Sequence, residues 1–153
     1  MEKEATKITK GTLVTGVIGE DVHVTGIRIL EHALQSSGFD VVSLGIHNSR
    51  KDFVDAAKKA NADAILISSL AGHANMLVDG LRDECISKGL NNIFLYIGGQ
   101  LVINDEEWSS IKRRFTEMGF DRVYQPFVYP EPVIEDLMND LGLNTEKLQT
   151  GTA

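Results

Sequence analysis

The chain has 153 residues, 42% of them apolar, and a net charge of −7 from 22 acidic and 15 basic residues. That suits one domain with one sizeable core, and it offers no basic block for the cationic footprint that nucleic acid needs. No apolar run is long enough to cross a membrane, the charged start from Met1 to Lys10 lacks the apolar centre of a secretion signal, and one cysteine, Cys85, excludes an internal disulfide framework or a cysteine metal cluster. The expected compartment is the reducing cytoplasm.

Strand and helix alternate five times. Thr12–Ile18 is an apolar run of the kind found in buried parallel strands. A helix from about Val24 to Ser37 follows, with Ile27, Leu30, Ala33 and Leu34 on one face, and Gly38 ends it. Val41–Leu44 is the second strand, and Ser49 with Asp52 marks a helix start before Phe53, Val54 and Ala57. Ala64–Ser68 is the third strand. Met76–Ser87 is expected as one helix, with Leu77, Leu81 and Cys85 at spacing four and a stop at Lys88-Gly89.

Ile93–Ile97 is the fourth strand. Asp105-Glu106-Glu107 suits the first turn of a helix lined by Trp108, Ile111, Phe115 and Met118. Val123-Tyr124 is a short fifth strand, and Pro130–Leu141 is the last helix, stopped by Gly142. The tripeptide Gly-Phe-Asp recurs at 38–40 and 119–121, each time between a helix and a strand. The expected organisation is an extension over 1–10, one domain over 11–142 and a tail over 143–153. The fold class is α/β: a doubly wound, five-stranded parallel sheet, flavodoxin- or Rossmann-like, in strand order 2-1-3-4-5.

In such a sheet ligands bind at the carboxyl ends of the strands, beside the point where strand order reverses. Three loops fall there. After the first strand come Asp21, His23 and Gly26; after the third, Ser68-Ser69-Leu70-Ala71-Gly72-His73; after the fourth, Gly98-Gly99-Gln100. An imidazole on a loop can bind a metal while a nearby carboxylate holds its other nitrogen, and glycine lets a bulky ligand approach backbone. The loops are small, polar or glycine-rich, and outline a slot with few charges, suited to a large, mostly neutral ligand. No phosphate-binding glycine loop or dinucleotide fingerprint is present.

Each feature also has a plain structural reading. His23 could be a surface histidine, Asp21 a helix cap, Gly98-Gly99 a tight turn, and Ser68 a hydroxyl capping backbone at a strand end. His73 is open between solvent and a partner interface; His32 and His47 read as surface residues. Cys85, on a helical core face, is expected to be an inert packing residue.

Taken together, Asp21-x-His23-x-x-Gly26, then 41 residues, Ser68-x-Leu70, then 27 residues, and Gly98-Gly99 resemble the cobalamin-binding domain family, in its base-off/His-on form. The resemblance spans about residues 11 to 141. It is strongest to the glutamate mutase small subunits, through Gly16-Val17-Ile18-Gly19, Trp108, Arg114-Phe115 and Met118 to Tyr124. Acyl-CoA mutases are similar in the three motifs and in Ser68 to His73, so their substrate class stays open beside glutamate.

The resemblance implies residue roles. His23 would displace the cofactor's dimethylbenzimidazole and bind cobalt, with Asp21 holding its other ring nitrogen. Gly26 would leave room beside the displaced tail, Ser68 and Leu70 would line its slot, with Ser69 beside them, and Gly98 and Gly99 would let tail and corrin lie against backbone. Glu20, Val22, Val24, Gln100, Leu101, Val102, Ile103 and Asn104 would be further contacts around the ring. No catalytic residue beyond cofactor ligation is expected. The resemblance further implies adenosylcobalamin as cofactor and a large catalytic barrel subunit as partner, two small with two large chains. A radical rearrangement interconverting L-glutamate and threo-3-methyl-L-aspartate would follow.

Other functions are weighed beside it. A corrinoid carrier for methyl transfer usually has a helical domain before the cobalamin domain. A cobalamin sensor needs an effector domain. A phosphorylated receiver needs an acidic cluster and an Asp at a strand end, where Ser68 stands here.

Overall fold

The computed structural model describes residues 9–19, 25–69, 72–102 and 105–143. Five parallel strands, β1 (Thr12–Val17), β2 (Asp40–Ser43), β3 (Ala64–Ser68), β4 (Phe94–Gly98) and β5 (Arg122–Tyr124), form one sheet in the order β2-β1-β3-β4-β5. This is the expected order, and the reversal lies between β1 and β3. The described helices are α1 (Thr25–Ser36), α2 (Arg50–Ala60), α3 (Ala74–Val78), α4 (Leu81–Ser87), α5 (Trp108–Glu117) and α6 (Pro130–Asp140).

Alternate strand residues feed two cores, because successive strand side chains point to opposite faces. On one face Val14, Ile65, Ile67, Leu95 and Ile97 pack with α2, α4 and α5 through Phe53, Leu81, Cys85 and Phe115. On the other, Leu13, Ala64, Leu66 and Tyr96 pack with Leu34 of α1 and Val133 and Leu137 of α6. Among the described residues the first core holds 21 buried side chains and the second eight. The second face is therefore thinly covered.

A polar clamp helps hold α1 on that thin face. Thr15 is fully buried, and its hydroxyl donates to Glu31 Oε2 at 2.5 Å. The Ser43 hydroxyl donates to the same oxygen at 2.8 Å. One helix carboxylate thus ties α1 to both β1 and β2.

Local chemistry explains most element ends. Ser49 and Asp52 form a full capping box at the start of α2. The two Gly-Phe-Asp turns share one geometry: Gly38 and Gly119 have φ of 105° and 110°, and Phe39 and Phe120 are buried. Each Phe amide donates 3.1 Å back to its preceding helix, to Leu34 and Phe115 respectively. At Gly119 a side chain is also excluded by space, since a Cβ would stand 2.6 Å from Arg82 Cβ.

Two expectations need correction. The stretch 76–87 is not one helix but α3 and α4, broken where Asp79 is extended and Gly80 has φ 85°. The break lets both Val78 and Leu81 reach the core. Asp79-Gly80 is a turn dipeptide, so the signal was present. The acidic run 105–107 precedes α5 rather than forming its first turn; Glu107 is the N-cap, and Glu106 pairs with Arg114. Other boundaries agree within two residues. No helix among the described residues is long and apolar enough to cross a membrane.

Glu31→Ala should lower unfolding free energy in urea by about 2 kcal/mol, because it orphans the buried Thr15 hydroxyl; a loss under about 0.5 kcal/mol would show that the clamp contributes nothing. Cys85 is fully buried, and desolvation raises its thiol to about 11. At pH 8 only about one thiol in a thousand is then ionised. Thiol reagents should leave the native chain unmodified and label it once on unfolding in urea.

Candidate functional site

The parallel register aligns two rows across the thin face. Thr15, Leu66, Tyr96 and Arg122 stand side by side, and one step toward the carboxyl ends come Val17, Ser68, Gly98 and Tyr124. Large side chains in the first row are followed by a serine and a glycine in the centre of the second. Space opens above that change in size.

The space is a cavity of about 510 Å³ between α1 and α6. Its walls are Thr25, Gly26, Ile27, Ile29 and Leu30 of α1, Leu66 and Ser68 of β3, Tyr96 and Gly98 of β4 with Gly99 and Gln100, and the stretch Tyr124 to Pro130 with Val133. Among the described residues no Asp, Glu, Lys, Arg or His stands in this lining. A cavity of this size and character suits an uncharged organic group.

Several expected site residues converge here. Gly26, Ser68, Gly98, Gly99 and Gln100 all line the cavity. A Cβ on Gly26 would meet no protein atom within 4 Å, whereas one on Gly98 would stand 3.2 Å from Tyr124 Cβ. Ser69 does not line it; it is fully buried, and its hydroxyl has no hydrogen-bond partner among the described residues. Leu101 and Val102 are buried in the larger core, so only their backbone faces the loops. Glu20, Asp21, Val22, His23, Val24, Leu70, Ile103 and Asn104 lie outside the described residues.

The loops after β3 and β4 are stitched together. His73 and Val102 form an antiparallel bridge, and the Gly72 and Ala74 amides donate to the Gln100 and Leu101 carbonyls at 3.2 and 3.4 Å. The Gln100 side-chain amide donates 2.9 Å to the Val102 carbonyl. His73 itself is exposed at the N-cap of α3, as are His32 and His47 elsewhere.

The fourth contributor, the loop between β5 and α6, was missed in the sequence. Its signal was legible: Tyr124-Gln125-Pro126-Phe127-Val128-Tyr129-Pro130 gathers three aromatics and two prolines outside any periodic pattern. Phe127 is 96% exposed and has φ 63°, an uncommon backbone state for an aromatic residue. Tyr96 was also missed, because a tyrosine inside an apolar strand reads as core.

Charge lies behind the tyrosines rather than in the cavity. Tyr96 donates its hydroxyl to Asp140 Oδ2, and Tyr124 donates to Asp136 Oδ2 at 2.6 Å. Burial first, then these acceptors, push both phenols far above the ordinary tyrosine range. Burial opposes the Asp140 charge, but the Arg122 guanidinium and the Tyr96 hydroxyl outweigh it and hold the carboxyl below its usual value. Asp140 therefore stabilises the fold above pH ~4, where a free Asp is ionised, and the contribution fades as pH falls through its lower native value.

Comparison with known proteins places this geometry. The B12 binding domain family matches residues 11–123. The chain is 45% identical over 134 residues to the glutamate mutase sigma subunit of Clostridium tetani, covering 88% of this chain and 98% of that one. It is 47% identical over 131 residues to the sigma subunit of Carboxydothermus hydrogenoformans, covering 86% and 96%. Among solved structures, a cobalamin-binding protein from Desulfitobacterium hafniense aligns with TM-score 0.61 at 25% identity, over 76% of this chain and 52% of that one. A signal receiver domain from Mycobacterium tuberculosis aligns with TM-score 0.63 at 14% identity, over 88% and 98%, and shares the fold alone. With this identity over nearly its whole described length, the chain belongs to the B12 binding domain family and, within it, to the glutamate mutase sigma subunits.

Proposed function

We propose that this chain is the cobalamin-binding subunit of glutamate mutase, an isomerase, and that it holds adenosylcobalamin base-off with His23 as the axial cobalt ligand. One observation carries the reading: three segments far apart in sequence, ending in Gly26, Ser68 and Gly98, meet on one uncharged cavity. The family match and the relatives' shared name support it independently.

The residues fit the group. The base of a displaced benzimidazole tail is aromatic and uncharged, and it would need an apolar slot with a few hydroxyls and amides, such as Ser68 and Gln100 supply. Gly26 leaves open space on one wall, and the Ser69 hydroxyl, buried outside the lining, has no hydrogen-bond partner among the described residues. Cobalt accepts imidazole nitrogen, and Asp21 is placed in sequence to hold the other ring nitrogen and set the tautomer. Glu20, Val22, Val24, Leu70, Gly99 and residues 101–104 complete the proposed surround, and residues 11–142 form the domain.

When bound, adenosylcobalamin supplies a weak cobalt–carbon bond whose homolysis starts radical chemistry. This chain's own part is to bind, orient and shelter. Among the described residues the lining holds no carboxylate, amine or imidazole, which supports leaving substrate handling to the partner. That partner is the large barrel subunit, in a complex of two small and two large chains, and the reaction interconverts L-glutamate and threo-3-methyl-L-aspartate. The relatives are matched over nearly their full length, which favours this reading over an acyl-CoA mutase or a methyl-carrying corrinoid protein.

The test is an absorption titration of the full chain with cobalamin, followed by electron paramagnetic resonance of the cobalt(II) form. Wild type should bind base-off and show splitting from a protein nitrogen on cobalt. His23→Gly should lose that splitting, bind far more weakly and give no mutase activity with the large subunit. Unaltered splitting in this variant would remove His23 from the cobalt.

Gly98→Leu probes the slot separately. Its Cβ begins 3.2 Å from Tyr124 and its branches occupy cavity volume. Overpacking of this kind typically costs about 1–3 kcal/mol, so cobalamin affinity should fall by about fivefold to a hundredfold. Equal affinity at unchanged stability would place the tail elsewhere.

A further inference from the structure

The cavity's tyrosines are held from behind by a charged network that cofactor ligation does not use. Asp136 and Asp140 lie one turn apart on α6, where two carboxylates repel. Arg122, in register with Tyr96 and two residues before Tyr124, stands between them. Its Nε and Nη2 donate to the two Asp140 oxygens at 3.1 and 2.8 Å, and its Nη1 lies 3.6 Å from Asp136 Oδ1. Each carboxylate also accepts a phenol, Tyr96 on Asp140 and Tyr124 on Asp136. The two rings sit 5.9 Å apart, tilted by 56°.

Two consequences follow from this wiring. Each phenol gives its only proton to α6, so ring carbon rather than a hydrogen-bond donor is offered to the cavity. The angle of both rings also depends on carboxylates that would separate without a cation between them. Lysine could supply the charge but not the two-pronged grip on Asp140.

We infer that Arg122 is a positioning residue of the cavity: through Asp136 and Asp140 it fixes the rings of Tyr96 and Tyr124 and ties that wall to α6. The inference rests on the cobalamin reading for the identity of the ligand, and on geometry for the rest.

The experiment compares full-length wild type, Arg122→Met and Arg122→Lys at a temperature where all three are fully folded by circular dichroism. Two readouts are taken: NMR of ring-labelled tyrosine without cofactor, and cobalamin affinity by absorption, with the large subunit added if the chain alone does not bind. In wild type the Tyr96 and Tyr124 rings should give separate signals with cross-peaks between them. In Arg122→Met those cross-peaks should disappear and affinity should fall about tenfold, the scale of a lost charge-assisted network. Arg122→Lys should recover part of the affinity.

Unchanged ring signals and affinity in folded Arg122→Met would overturn the inference and leave Arg122 as a helix tether. If Arg122→Met does not fold, Tyr96→Phe and Tyr124→Phe decide, since both leave the ion pairs in place. Weaker cobalamin binding at an unchanged melting temperature supports the positioning role, and wild-type affinity in both overturns it. Wild type that takes up no cobalamin even with the large subunit refutes the cofactor reading, and the ring measurement then decides this one alone.

Discussion

The parallel register is the constraint on which the rest of this structure depends. It sets Leu66 beside Tyr96, and one step further along it sets Ser68 beside Gly98. A sheet face filled by large side chains closes against its helices. Replacing the last central pair with a hydroxymethyl group and a hydrogen leaves a volume no helix fills. Tyr124, next in the same row, walls that volume on one side. A one-residue slip of β3 against β4 would send Ser68 and Gly98 to different positions along the sheet edge and abolish the gap. The cavity is thus a consequence of strand pairing rather than of loop shape.

Much of this was legible from residue pattern. Continuous apolar strands, Gly-Phe-Asp turns and the Ser49–Asp52 capping box are short-range signals, and the structure uses each where the pattern puts it. The doubly wound parallel sheet followed from the alternation of elements and the handedness of crossovers, and the order 2-1-3-4-5 from taking its flavodoxin-like form. What sequence hid was of another kind. The break at Gly80 is marked by the Asp79-Gly80 turn dipeptide, but its cause, Val78 and Leu81 both reaching the core, is tertiary and the helical period runs straight through it. Tyr96 looked like core because its role depends on which neighbour in the adjacent strand is small. The Tyr124–Pro130 segment stands out locally by its aromatics and prolines, but its place as a cavity wall depends on where α6 folds back, a long-range outcome. Gly26, Ser68 and Gly98 were found because the loops at one sheet edge are small, polar or glycine-rich and their spacing resembles the cobalamin-binding motifs.

The distribution of charge fits a division of labour. Acidic residues outnumber basic ones in the chain, yet none of the described ones enters the cavity lining. Asp136 and Asp140 come close but face Arg122 and the phenol protons instead. A wall whose described residues carry no charge does not compete for protons or cations with an uncharged organic group. That is consistent with a subunit that binds cobalamin.

The two helices flanking the cavity share one further property. Both sit on the thinly packed face, and both are anchored to the sheet by carboxylates: α1 through Glu31 on Thr15 and Ser43, α6 through Asp136 and Asp140 on Arg122 and the tyrosines. On the opposite face, with its larger core, α4 carries one comparable tie, Arg82 to Asp121, whose carboxylate also accepts from the Leu95 amide of β4. Leaving room for a ligand removes apolar contact from the helices that border it, and burial alone then holds them less firmly. Directional, charge-assisted bonds compensate, and they also fix position more sharply than non-directional burial does. The remaining deficit falls on the cavity itself, so a ligand that fills it restores the missing contacts and stabilises both walls together.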